Sequence, residues 1–126
     1  MKILITVEDD ADMRTIIRFH LGGDGRLDLV EDPTTAEEAV AAAARHQPDV
    51  IILDHYIDGD TMGLQAAPPL KRAAPNSKIL LFSDHNLEVE AAREPAIDAY
   101  LAKANLKQLL VTVQRLAALG PLTADQ

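Results

Sequence analysis

Pro48-Asp49-Val50-Ile51-Ile52-Leu53-Asp54 sets four consecutive aliphatic residues between two carboxylates. A strand with one wet face alternates apolar and polar residues. One that is apolar at every position is covered on both faces, as in a parallel sheet sandwiched between helices. Ile79-Leu80-Leu81-Phe82 repeats the pattern. Working outward, Lys2–Val7, Leu27–Val30 and Ala99–Leu101 add three further short aliphatic runs, with helical periodicity between them. The chain therefore predicts an α/β fold with five β-α units and a central parallel sheet.

The gaps carry helix signals. Met13, Ile16, Ile17 and Leu21 recur at helical spacing, and Thr34 with Glu37 reads as a capping box opening a second helix that Pro48 closes. Pro68-Pro69 fits only the first turn of a helix, which predicts a third helix starting there and a long loop over 54–67. A short fourth helix is expected near Leu87–Arg93 with Asn86 as cap and Pro95 as stop. In the last helix Asn105 is the expected N-cap, and Leu106, Leu109, Leu110, Val113 and Ala117 form its apolar stripe.

With 126 residues, 48% of them hydrophobic, the chain closes one core and not two. Residues 1–119 are expected to form one domain and 120–126 a short tail. Twelve basic against twenty acidic residues give a formal charge of −8, which disfavours direct contact with nucleic acid or anionic membrane. No apolar stretch reaches 18 residues, and the expected location is cytoplasmic. Without cysteine, any metal is bound by oxygen or imidazole.

Ligands of open parallel sheets bind beyond the carboxyl ends of the strands. The residues at those ends are Glu8-Asp9-Asp10, Asp54, Ser83 and Lys103. Carboxylates there suit a hard cation such as Mg²⁺ or Mn²⁺, an ionised Asp54 can attack phosphorus, and the Lys103 ammonium offsets charge on a transferred phosphoryl group. Each residue also has a plain alternative: the acidic triplet as a helix cap and first-turn cluster, the other three as ordinary turn or surface residues.

In order and spacing, Ile3-Leu4-Ile5-Thr6-Val7-Glu8-Asp9-Asp10, Pro48–Asp54 and Tyr100-Leu101-Ala102-Lys103 resemble the receiver domain of two-component response regulators, over nearly the whole chain. The resemblance implies a flavodoxin-like (βα)5 fold, with a five-stranded parallel sheet of order 2-1-3-4-5 and helices on both faces. It implies Asp54 as phosphoacceptor from a histidine kinase or phosphotransfer protein, and Mg²⁺ held by Glu8, Asp9, Asp54 and the backbone carbonyl of Tyr56. Ser83 and Tyr100 match the switch positions, Lys103 the phosphate-contacting lysine, and Tyr56 and His85 the positions that tune the lifetime of the acyl phosphate. Such a chain is a regulatory module, and not an enzyme beyond self-catalysed phosphotransfer and dephosphorylation.

Several residues depart from that family's pattern. Ala104 stands where proline is usual, and a cis bond there would cost about 2.5–4 kcal/mol, so a trans bond is expected. Asp58 replaces another proline and Gly63 comes about one residue late, so the loop after Asp54 is expected to be remodelled. Asp84 replaces a small residue, and the usual glycine turn reads Glu94-Pro95-Ala96-Ile97-Asp98. These changes favour an alternative, a receiver-like interaction module that signals without phosphorylation. An aspartyl-phosphate hydrolase of the haloacid-dehalogenase kind would need a second Asp where Tyr56 stands. His20 and His46 are expected to be structural, and His55 to face away from Asp54.

Overall fold

The computed structural model describes the chain except for Met1, Glu8, Asp9, Asp32, Gly59, Asp60, His85 and 119–126; of 2–7, 56–58 and 61 it describes the backbone. Five parallel strands, β1 (Lys2–Val7), β2 (Asp28–Glu31), β3 (Val50–Leu53), β6 (Lys78–Ser83) and β7 (Ala99–Ala102), make one sheet of order β2-β1-β3-β6-β7. Counting these strands alone, that is the expected 2-1-3-4-5 order. The two runs that are apolar throughout lie side by side in the middle, with Val50 opposite Lys78 and Leu53 opposite Leu81.

Helices α1 (Ala11–Leu21), α2 (Ala36–His46), α3 (Gly63–Ala73), α4 (Glu88–Arg93) and α5 (Leu109–Ala118) cover the sheet. Strand alternation divides the core in two. Ile51, Leu53, Ile79 and Leu81 pack with alanines and leucines of α2, α3 and α4, whereas Val50, Ile52, Leu80 and Phe82 pack with Ile17 and Leu21 of α1 and Leu109, Val113 and Leu116 of α5. The small Ala39, Ala42 and Ala43 on α2, facing Ala66 and Ala67 on α3, let these helices approach closely.

Five local expectations shift. The α2 cap is Thr35, one residue later than Thr34, and its side chain accepts from Glu38 N at 3.1 Å. α3 begins at Gly63, five residues before Pro68, so both prolines sit in its interior and leave the carbonyls of Leu64 and Gln65 without their usual donors. Burial of Ala66, Ala67 and Leu70 and a hydrogen bond from Gly63 N to His55 O hold the helix in spite of that. The expected loop ahead of it contains an antiparallel hairpin, β4 (Tyr56–Asp58) with β5 (Thr61–Met62). Asn86 does not cap α4, whose N-cap position is Leu87, and Asn105 does not cap α5. Asn105 instead lies at the kink (φ −99°, ψ 34°) of a 3-10 segment, Lys103–Gln108, that precedes α5.

Polar ties close the end of the sheet remote from Asp54. Lys71 Nζ donates to Asp98 Oδ2 (2.6 Å) and Ser77 O (2.7 Å), and Asp98 also accepts from Ile79 N at 2.8 Å. Gln47, in the left-handed region (φ 46°), reaches from the end of α2 to Ala73 O at 2.8 Å. Among the described residues no helix is long and apolar enough to cross a membrane.

Candidate functional site

Asp54 is the first residue past β3 and Lys103 the first past β7. Leu53 pairs with Leu81 and Ser83 with Ala102, so Asp54, Ser83 and Lys103 fall on consecutive rungs of three adjacent strands, β3, β6 and β7. Their convergence follows from parallel pairing: every strand presents its carboxyl end at the same edge.

Lys103 Nζ stands 3.3 Å from Asp54 Oδ2, with side-chain exposures of only 11% and 8%. The other carboxylate oxygen, Oδ1, accepts from His55 N at 2.8 Å, which fixes the plane of the group. In so dry a setting a charge gains much from its partner and loses much without it. The Ser83 side chain is fully buried, and Tyr100 is half-buried against the core cluster beneath α4. The peptide bond to Ala104 is trans, as expected: there is no cis bond among the described residues.

The remodelled loop meets the site through its backbone. In an antiparallel ladder, hydrogen-bonded and non-hydrogen-bonded pairs alternate. The bond from Gly63 N to His55 O makes that pair a hydrogen-bonded one, so the next pair, Tyr56 with Met62, is not. Met62 N instead donates to the Gln65 side chain at 3.3 Å. The ladder therefore makes no demand on the Tyr56 carbonyl, the oxygen expected to face a cation. Gly63 was singled out in the sequence only for its displaced position, but its deeper role is steric. A Cβ there would overlap the Asp54 carbonyl oxygen and lie 2.9 Å from His55 Cα, so the helix can start this close to the acceptor only with glycine.

Of the acidic triplet, Asp10 takes the plain role: it caps α1, accepting from Asp12 N at 2.9 Å. Glu8, Asp9 and His85 lie outside the described residues, as does the Tyr56 side chain. The Asp54 carboxylate and the Tyr56 carbonyl are oxygen donors of the kind a hard cation would take; among the described residues no group of three metal-binding side chains forms. His20 and His46 are structural as expected: His20 Nδ1 meets Ile16 O at 3.0 Å, and His46 Nε2 meets Glu31 Oε2 at 2.6 Å.

Comparison with known proteins agrees with this fold. The model of the response regulator receiver domain family matches residues 3–114. The response regulator protein VraR of Staphylococcus aureus is 29% identical over 106 residues, which are 82% of this chain and 50% of that protein; VraR of Staphylococcus saprophyticus is 28% identical over the same shares. The chain thus spans about half the length of the curated relatives it matches. Among solved structures, a LuxR-family two-component response regulator from Aurantimonas superposes with TM-score 0.84 at 20% identity, covering 98% of this chain and 90% of that one. TrrA of Thermotoga maritima, solved in complex with Mg²⁺-BeF, gives 0.78 at 24% identity over 91% of this chain and 97% of that one. A parallel five-stranded sheet, a buried aspartate-lysine pair at its carboxyl edge and a family match over most of the chain lead to one conclusion: this is a receiver domain of the response regulator family, a regulatory module of two-component signalling.

Proposed function

We propose that Asp54 accepts a phosphoryl group from the phosphohistidine of a sensor kinase or phosphotransfer protein, within a receiver unit spanning residues 1–119. The observation that carries this reading is the 3.3 Å pair of Asp54 and Lys103, nearly dry, at the carboxyl end of the central strand. A carboxylate oxygen of Asp54 bonds to phosphorus as the phosphorus-nitrogen bond of the donor breaks. The electron pair returns to the imidazole, which takes a proton from water. Lys103 then offsets charge on the new phosphoryl oxygens, while His55 N holds the carboxylate in line. Mg²⁺ or Mn²⁺, bound by Asp54, the Tyr56 carbonyl and the sequence-neighbouring Glu8 and Asp9, would supply electrostatic relief for the two anions that must meet.

Ser83 and Tyr100 carry the signal outward in this reading. Moving a two-state equilibrium from 1:99 to 99:1 takes about 5.5 kcal/mol, whereas one hydrogen bond to a charged group contributes roughly 1.5–3 kcal/mol. The Ser83 hydroxyl, Lys103 and repacking of Tyr100 must therefore act together. Tyr56 and His85 set how long the acyl phosphate lasts.

The test is incubation with Mg²⁺ and acetyl phosphate, read by intact mass. The expected result is a gain of one phosphoryl group, abolished in Asp54→Asn. The second reading, signalling without phosphorylation, is favoured by the hairpin that replaces the usual loop after the acceptor. It prevails if the wild type gains no phosphoryl mass while the folded protein still binds Mg²⁺.

A further inference from the structure

Strand pairing carries Asp54 to the carboxyl edge of the sheet, but Lys103 already belongs to the 3-10 segment Lys103–Gln108, so a different element has to orient it. Its ammonium ends a long, flexible stem with much rotamer entropy to lose. To stand 3.3 Å from Asp54 Oδ2 at only 11% exposure, that stem must be launched inward by the backbone. Ala104 and Asn105, which follow, are both exposed and do not anchor the segment by packing.

A 3-10 segment has about three residues per turn, so side chains at i and i+3 eclipse one another. Burial along this one keeps that period. Lys103 and Leu106 are partly buried and Leu109 is fully buried, while Ala104, Asn105, Lys107 and Gln108 are exposed. The kink at Asn105 leaves the phase intact, and the i to i+3 bond from Leu109 N to Leu106 O carries it into α5. Leu106 packs against the core cluster that holds Phe82, Leu101 and Leu109. In an α-helix, with about 3.6 residues per turn, Leu106 would fall short of the line through Lys103. Six residues is long for a 3-10 run, whose hydrogen bonds are poorer than those of an α-helix, and the buried line supplies what they lack.

We infer that Leu106 is the positioning residue of this site: seated in the core one 3-10 turn beyond Lys103, it fixes the rotation of the segment and so aims the ammonium at Asp54. The inference rests on the reading of Asp54 as phosphoacceptor and names what holds its cationic partner in place. Leu106 has no polar side-chain atom to offer the reaction and acts through Lys103. In the sequence it shows only as one member of the α5 stripe.

Two measurements on Leu106→Ala test this, with Leu106→Met as the volume-conserving control and thermal unfolding to confirm that each variant is folded. The first is reductive methylation with formaldehyde and a borohydride, mapped lysine by lysine. Lys103 should react slowly in the wild type and several-fold faster in Leu106→Ala, measured against its exposed neighbour Lys107, with Leu106→Met close to wild type. The second is the rate of labelling by acetyl phosphate with Mg²⁺. Misplacing a group by about 1 Å can cost on the order of a hundredfold, so Leu106→Ala should slow labelling about tenfold or more. It should slow it no further when Lys103 is already alanine, because the two residues act as one unit. Unchanged Lys103 reactivity in Leu106→Ala overturns the inference, as does a loss of rate that persists undiminished in the Lys103→Ala background. A wild-type chain that takes no phosphoryl group overturns the phosphoacceptor reading instead, and the lysine reactivities still decide the role of Leu106.

Discussion

Lys78 is a costly residue in the fold, and replacing it with methionine should stabilise the protein. It opens the interior strand β6, is 2% exposed, and its Nζ is buried with no hydrogen-bond partner among the described residues. It shares its face with Leu80 and Phe82, beneath α1 and α5, where no hydrogen bond among the described residues compensates an ammonium taken from water. A buried donor left unsatisfied costs about 1–3 kcal/mol, and more when charged. Methionine keeps the unbranched shape, fills the space and keeps the backbone bond from residue 78 to Asp49 O (3.0 Å). The expected gain is therefore about 1–3 kcal/mol. At about 2.1 cal/mol/K per residue, the unfolding entropy of 126 residues is roughly 0.26 kcal/mol/K, so Tm should rise by about 4–11 °C. Denaturant titration should show a higher midpoint at unchanged slope, and Lys78→Gln, whose amide is stranded in the same way, should gain much less. If Lys78→Met unfolded at the wild-type midpoint or below it, the ammonium would have to be compensated and the reasoning would fail.

Gly63→Ala should cost about 1–3 kcal/mol, since the new methyl overlaps backbone that cannot yield as a flexible side chain would; it should also slow phosphoryl labelling of Asp54, and a variant that folds and labels normally contradicts the close approach. Arg45 and His46 hold the Glu31 carboxyl below its ordinary value of 4.5, so the contribution of this cluster is present above that pH and is lost as the solution is acidified. Glu31→Gln should accordingly flatten the acid limb of stability against pH, which urea titrations between about pH 3 and pH 6 will read. Gln47→Ala should destabilise by about 1–2 kcal/mol because it keeps the left-handed backbone and forfeits the bond to Ala73 O; Gln47→Gly, relieved of the backbone strain, should fall between Ala and wild type.

What could be read in advance follows burial. Val50–Leu53 and the Ile79–Phe82 run are covered on both faces, so composition alone identifies them and the order of elements follows. Lys78 escaped because it extends an apolar strand by one residue, with its charge on the buried face. Caps were misplaced where neighbouring residues offer the same chemistry: Thr34 and Thr35 are equivalent by composition, and only the turn at which the chain becomes helical chooses between them. The α3 boundary was misjudged for a different reason. Two interior prolines remove two helical bonds, but three buried side chains and the Gly63 anchor outweigh that loss, and that burial is set by tertiary packing, not by Pro68-Pro69.

The site was legible where a residue directly follows a strand, and illegible where the loop after Asp54 reaches back to it. The sequence indicated a remodelled loop because Asp58 and Gly63 break the family's spacing; what the extra residue does depends on pairing. A hairpin normally engages every carbonyl of its hydrogen-bonded pairs. Here the bond from Gly63 N to His55 O sets the alternation so that Tyr56 falls on a non-hydrogen-bonded rung, and Gln65 takes up the Met62 donor. A register slip of one residue would move Tyr56 onto a hydrogen-bonded rung and engage its carbonyl in the ladder. The glycine that lets α3 begin against Asp54 is thus also the donor that fixes the register. Proline at position 63 would remove that donor, so Gly63→Pro should weaken Mg²⁺ binding more than Gly63→Ala does. Mg²⁺ titration of the two folded variants would show it, and equal affinities would separate the register from the metal site.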